Sequence, residues 1–444
     1  MSAVTSNTLL MPTTHATRER WPWVISLLLL MCFAGANWAW GESARWSLTS
    51  GDEIEALVGR VSEGTAKRQV AFAALGVIGL AMLMSPGRAI QGYKSVMLYA
   101  VMVFIGWALV SITWSVDRGQ TAKRLVVFAS LCLAAGGLIK QYDPRQLARI
   151  AFAVAIATIV IGVGMEIITV GMFGFPGFGK YRFGGMQHPN HAGINCCVAI
   201  FTSAYLFRTE GNRTHRLLYA LTFVFAAGVL YFTKSRTALM AALTGVGVFW
   251  MLASHVRLVS FALLLVAWGA AGVLWLSSMQ MLPGVSQFIS MGREDVSKAD
   301  VTQLTGRTDI WHFALVQAAR DPNRVFTGYG FESFWTPENV AGVSSYVKFR
   351  ISEGHNLYLD WYLELGLVGA GLYALLLLWA LVRWAIASRV LGSPVAALGA
   401  AVLAAVVIHG FAESSCGDAN APGLFVLVTI GCATLRRPDE IGFA

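Results

Sequence analysis

The stretch Gly354-His355-Asn356-Leu357-Tyr358 closes a polar segment, residues 278 to 354, and leads straight into an apolar run. It sets an imidazole, the side chain most readily poised as a general base near neutral pH, at the edge of a hydrophobic helix. Asn356, Asp360 and Glu364 fall at i, i+4 and i+8, a single polar stripe on an apolar rod, which predicts that the stripe faces protein or water. Taken alone, His355 would serve equally well as a helix cap satisfied by backbone.

Three arginines could meet that base. Arg307 lies in Leu304-Thr305-Gly306-Arg307-Thr308-Asp309-Ile310-Trp311, where threonines able to cap precede an amphipathic pattern that runs to Arg320 and stops before Pro322. Free N–H groups at a helix N-terminus favour anions, and a guanidinium fork can pair with phosphate oxygens bidentately. The alternative is an ion pair between Arg307 and Asp309 or another loop acid. Arg236 sits in Thr233-Lys234-Ser235-Arg236-Thr237, a hinge with two cations and three hydroxyls between apolar runs. It suits either anion recognition or snorkelling at a membrane interface. Arg182 follows the Gly-rich run 174 to 179 and precedes Gly184-Gly185-Met186-Gln187-His188-Pro189-Asn190-His191. The His188/His191 spacing occurs among metal ligands, but no third ligand stands nearby, so no metal site is expected.

The elements that must position these residues are set by composition. With 56% hydrophobic and 13% charged residues, the chain is far less charged than a soluble protein, where about 25% is usual. It reads as an all-α polytopic membrane protein. Twelve apolar runs could cross a bilayer: 23-40, 69-86, 95-115, 125-139, 150-173, 191-207, 217-233, 237-254, 258-278, 367-387, 394-412 and 421-435. Residues 1-444 then form one integral membrane domain, with 278-354 a large loop between spans nine and ten. The first run, preceded by Arg18 and Arg20 and ending in Ala34-Gly35-Ala36, would also suit a signal sequence. Glu166, inside the fifth run, has no evident partner.

Counting Lys and Arg with the N-terminus inside gives fifteen on the inner face and eleven in the short outer loops, which places the long loop outside and both termini in the cytoplasm. Among the outer exceptions, Arg118, Lys123, Arg124, Lys180, Arg182, Lys234 and Arg236 share their short loops with one acid, Asp117. Positive charge held there against the orientation rule points to an anion such as a lipid phosphate or pyrophosphate. The net charge of +9 reflects this basic membrane topology, and nucleic acid is not an expected partner. Five of the six cysteines lie in apolar runs, so neither a disulfide nor a zinc framework is expected.

On Arg182 with Pro189-Asn190, Ser235-Arg236-Thr237, Gly306-Arg307 with Trp311, Gly328-Tyr329-Gly330, and His355-Asn356 leading into Glu364-Leu365-Gly366 and Gly369, the chain resembles the O-antigen ligase/polymerase family of bacterial inner-membrane glycosyltransferases. The resemblance spans roughly residues 90 to 435. It implies a GT-C-like fold with about 12 transmembrane helices and a periplasmic loop containing short helices. It further implies transfer of a glycan from undecaprenyl pyrophosphate to an acceptor at the periplasmic face; for the ligase branch that acceptor is a sugar hydroxyl of lipid A core. In that reading Arg307 and Arg236 hold the pyrophosphate and His355 is the catalytic base. The wider substrate-binding set is Arg124, Arg182, Asn190, Lys234, Asn356 and Tyr358, with membrane lipids around it. No cofactor is expected, and with no Asp-x-Asp pair in the chain, no metal. A polymerase or protein O-oligosaccharyltransferase of the same family, or a flippase for lipid-linked oligosaccharide, remain alternatives.

Overall fold

A computed structural model describes residues 22–38, 66–87, 96–170, 181–253, 306–347, 351, 353–417 and 419–436. Every regular element among them is helical, as the bilayer requires of a chain that must satisfy its own backbone groups. In order they are α1 (Pro22–Asn37), α2 (Ala66–Met84), α3 (Val96–Val110, extended by a 3-10 turn Ser111–Thr113), α4 (Arg118–Gln141), α5 (Pro144–Val170), α6 (Pro189–Thr209), α7 (Arg213–Thr233) and α8 (Arg236–Ala253). After them come α9 (Arg307–Ala318), α10 (Pro337–Val347), α11 (Leu357–Leu391), α12 (Pro394–Gly410) and α13 (Ala421–Leu435).

Seven of these (α2, α3, α4, α5, α7, α8 and α11) are long and apolar enough to cross a membrane, which fits a polytopic membrane protein. The outer helices show the side chains a lipid solvent calls for. Val77 and Leu80 on α2, Met102 and Val103 on α3, Leu221 and Val224 on α7, and Leu375, Leu378 and Val382 on α11 are all exposed. Helices α6 and α12, by contrast, are buried for most of their length and form the centre of the bundle. α6 brings the polar groups Asn190, Asn195, Thr202 and Ser203 into that centre, and Asn195 Nδ2 donates to Gln187 Oε1 (3.1 Å) and His191 O (3.0 Å).

Several expectations shift. The ninth apolar run, 258-278, lies outside the described residues. The fourth is longer than its apolar stretch, because α4 starts at Arg118, capped by the Asp117 carboxylate accepting from Gln120 N at 2.9 Å. Arg118, Lys123 and Arg124 therefore stand on the first turns of a helix and not in a loop. The acid that shares their segment is a cap. The N-cap of α9 is Gly306 (φ 79°), with no side-chain cap bond, in place of a capping threonine.

The break in α11 comes from Gly366, whose φ of 67° and ψ of −170° interrupt the helix. The carbonyls freed there find partners in the Gly328-Tyr329-Gly330 turn: Tyr329 N donates to Leu363 O and Gly330 N to Glu364 O, each at 2.9 Å. In return Leu367 N donates to Val325 O at 2.9 Å. This splits α11 into a short entry segment that begins at the site and a portion beyond Gly366 that, at 1.5 Å per residue, is roughly 37 Å long, sufficient for a bilayer of about 30 Å. Helices α9 and α10 sit over the entry segment on a small apolar core of Ile310, Ala314, Phe334, Trp335, Val340, Val343, Ile351 and Leu363. Trp311 Nε1, donating to Gly354 O at 2.9 Å, pins α9 to the turn that carries His355.

Candidate active site at one end of the bundle

Because successive helices run in alternating directions, the starts of α6, α8, α11 and α13 and the ends of α7 and α12 gather at one end. At their meeting point is Glu413, in the link between α12 and α13, with a side chain only 1% exposed. Its Oε2 lies 3.1 Å from His355 Nδ1, and its Oε1 accepts from both Arg307 Nη2 and Asn190 Nδ2. Arg182 extends the network: its Nη2 donates to Asn190 Oδ1 at 2.8 Å and its Nε to Thr233 O at 3.0 Å, in the hinge just before Lys234 and Arg236. A second carboxylate, Glu353 Oε1, stands 3.3 Å from the same His355 nitrogen. Thus His355, Arg307, Asn190 and Arg182, scattered from residue 182 to 355, are joined through one acid.

Burial would push the Glu413 carboxyl up, but the Arg307 guanidinium and His355 hold it well below the usual carboxylate range. It is a buried anion kept ionised by its partners. His188 precedes α6 and accepts from Asn190 N through Nδ1 (3.3 Å), a capping role that needs that nitrogen unprotonated. Burial draws the imidazole well below its ordinary value, which agrees with that role.

The backbone is strained around the same place. His355 (φ 48°), Lys234 (φ 51°) and Met186 (φ 73°) occupy the left-handed region, which costs a residue with a Cβ about 1–3 kcal/mol. Such strain persists only where the surroundings hold it, and at His355 they do. Asn356 caps α11 by accepting from Tyr358 N (3.1 Å) and Leu359 N (3.0 Å), and its Nδ2 donates to Phe411 O at 3.1 Å. Tyr358 OH donates to Val407 O at 2.9 Å, and its ring lies 5.0 Å from that of Phe411. Asn356 and Tyr358 therefore clamp the start of α11 onto the end of α12, which sets His355 against Glu413.

The polar stripe of α11 does face protein. Asp360, buried, accepts from Trp335 Nε1 (2.9 Å) and Gly354 N (3.0 Å), and from Ser414 Oγ. Arg236 opens α8 and is half-buried; Lys234 is buried at the C-cap of α7. Arg124 is placed elsewhere, 3.2 Å from Glu332. Glu166 gains the partners its sequence did not reveal: Oε1 accepts from Gly184 N and Gly185 N, each at 2.8 Å, and Oε2 from Tyr181 OH. It clasps the loop that bears Arg182. Cys416, in the link between α12 and α13, is buried with Sγ 3.6 Å from His409 Nδ1.

Residues 221–374 match the family model described as O-antigen ligase. The match covers less than half of the chain, and over that stretch the chain is similar to the O-antigen ligase family. No curated protein matches it. Within this O-antigen ligase match lie Lys234, Arg236, Arg307, Glu353, His355, Asn356 and Tyr358, whereas Arg182, Asn190 and Glu413 come from outside it. Glu413 is the functional candidate that sequence reasoning missed. Its available signal was an acid in the short link between two apolar runs, on the side where cations had been counted.

Proposed function

We propose that the chain is an O-antigen ligase that transfers a glycan from undecaprenyl pyrophosphate to a sugar hydroxyl of lipid A core, at the periplasmic face of the bacterial inner membrane. The observation that carries this reading is that one buried carboxylate, Glu413, touches both the candidate base and the candidate phosphate-binding arginine. With Nδ1 of His355 held between Glu413 and Glu353, Nε2 is the nitrogen for the acceptor hydroxyl. A sugar hydroxyl is a far weaker acid than imidazolium, so its proton passes to His355 as the hydroxyl oxygen bonds to the anomeric carbon. The glycosidic C–O bond to pyrophosphate breaks in the same step, and the electron pair leaves on undecaprenyl pyrophosphate. Arg307, with Arg182 and Arg236 at the same end of the bundle, neutralises that leaving group, a role preorganised cations perform well in a site poor in water. Direct attack inverts the anomeric configuration.

Fifteen Lys and Arg against eleven, counted from the sequence, support placing the site end outside and the termini inside. A metal-assisted reading has one observation in its favour: Glu353, His355 and Glu413 offer ligand atoms within 4.8 Å of one another. Arg307 already supplies Glu413 with a counter-charge, which favours the metal-free form. The test is a reconstituted transfer assay with purified protein, lipid-linked donor and lipid A core, run with and without EDTA. Transfer that survives EDTA and is lost in His355→Ala and Arg307→Ala, with donor binding kept in the first and weakened in the second, supports the assignment. Loss of transfer in EDTA, restored by a divalent ion, turns it to the metal. Elongation of the donor glycan without ligation would make the enzyme a polymerase, the family alternative that uses the same donor.

A further inference from the structure

We propose that Glu413 is passed between partners: Arg307 holds it while the site is empty, and an incoming pyrophosphate takes Arg307 and leaves the carboxylate to His355. This rests on the base-and-clamp reading above and adds to it a coupling between donor binding and base strength.

The geometry that points to it is the split use of one side chain. Glu413 Oε1 is engaged by Arg307 and Oε2 faces His355, so the clamp and the base compete for a single negative charge. In this arrangement Arg307 is not free for phosphate, and Glu413 is neutralised from the side away from the base. A pyrophosphate carries more charge than a carboxylate and matches the guanidinium fork, so it can draw Arg307 off. The Arg307 side chain is 15% exposed, at the open side of the pair, whereas Glu413 is 1% exposed and fixed in place. Losing Arg307 does not orphan Oε1, because Asn190 Nδ2 remains on it.

The other groups around His355 hold fixed partners or positions. Glu353 stands on its own turn, and Asp360 on α11 is anchored by Trp335, Gly354 and Ser414. His188 and His191 face it from the start of α6, with Arg182 beside Asn190. Arg307, from α9, is the charge whose partner an anion can change. Once it turns to the donor, the buried carboxylate is left with His355 as its cationic partner in waiting, and the imidazole takes a proton more readily. The base is then strong when a donor is present and weak when the site is empty, which limits idle attack by water.

Wild-type enzyme in lipid nanodiscs supplies the first test. The acidic limb of kcat reports the base in the donor-bound enzyme and that of kcat/KM for the donor reports it in the free enzyme. The hand-off places the kcat limb at higher pH; coincident limbs, or the reverse order, overturn it. Glu413→Gln supplies the second, with inorganic pyrophosphate and the lipid-linked donor as probes. Freed of competition, Arg307 binds pyrophosphate about tenfold more tightly while kcat falls by about 10²-fold, the low end of a general base's contribution. A merely structural role weakens both, and that result rejects the proposal. Glu413→Asp keeps the charge and returns pyrophosphate affinity toward wild type; if Asp and Gln behave alike, charge is not what the two partners share and the proposal fails. Failure of the underlying reading looks different: Arg307→Ala would bind pyrophosphate normally, or His355→Ala would still transfer.

Discussion

Replacing Glu166 by alanine removes the acceptor of three hydrogen bonds, from Gly184 N, Gly185 N and Tyr181 OH, that fold the loop bearing Arg182. Each bond to an ionised group is worth about 1.5–3 kcal/mol net. Because Glu166 is half-buried, water recovers much of this, and we take about 2 kcal/mol as the loss of loop order. That ordering must then be supplied by the donor when it binds, so the donor KM rises by about 30-fold with kcat little changed. Glu166→Gln can still accept from both amides through one oxygen, without charge, and its effect should be smaller, about threefold to tenfold. The assay is initial-rate transfer across a range of lipid-linked donor at saturating acceptor, beside thermal unfolding in detergent. A Glu166→Ala enzyme with the wild-type donor KM, or one that loses kcat at unchanged KM, refutes the argument that this carboxylate acts by positioning Arg182.

Gly366→Ala places a Cβ into the backbone of Phe326 and Thr327 at a φ of 67°, and should destabilise the protein by about 2–5 kcal/mol, read as a lower Tm and poor recovery from the membrane. Arg124→Ala breaks a partly exposed pair with Glu332, 24% and 33% exposed, so it should cost at most about 1 kcal/mol and leave the donor KM unchanged. A pH series tests Glu413. Its depressed folded-state value means that its stabilisation is present above the ordinary carboxylate range and is lost as pH falls through the folded value. Removing Arg307 leaves burial to push the carboxyl up, so the stability gap between wild type and Arg307→Ala should be wider at pH 7 than at pH 4; an equal gap at both would refute it.

What the sequence determined was decided by local chemistry. Apolar length set the helices; Asn356 ahead of a hydrophobic run set the start of α11 and with it the position of His355. The same alternation of runs brought Lys234, Arg236, Arg307 and His355 to one end, because an antiparallel bundle leaves each turn nowhere else to go. It could not show how far α4 reaches beyond its apolar stretch, since charged side chains on a first turn read like a loop. What only the tertiary structure decided are the pairings. Glu413 lies 106 residues from Arg307, 58 from His355 and 223 from Asn190. Nothing in the local pattern of an isolated Glu after an apolar helix says which cation will meet it. The reason is physical: a helix's length and face follow from its own residues, but the partner of a buried charge is chosen by which helix ends the whole bundle brings within hydrogen-bonding reach.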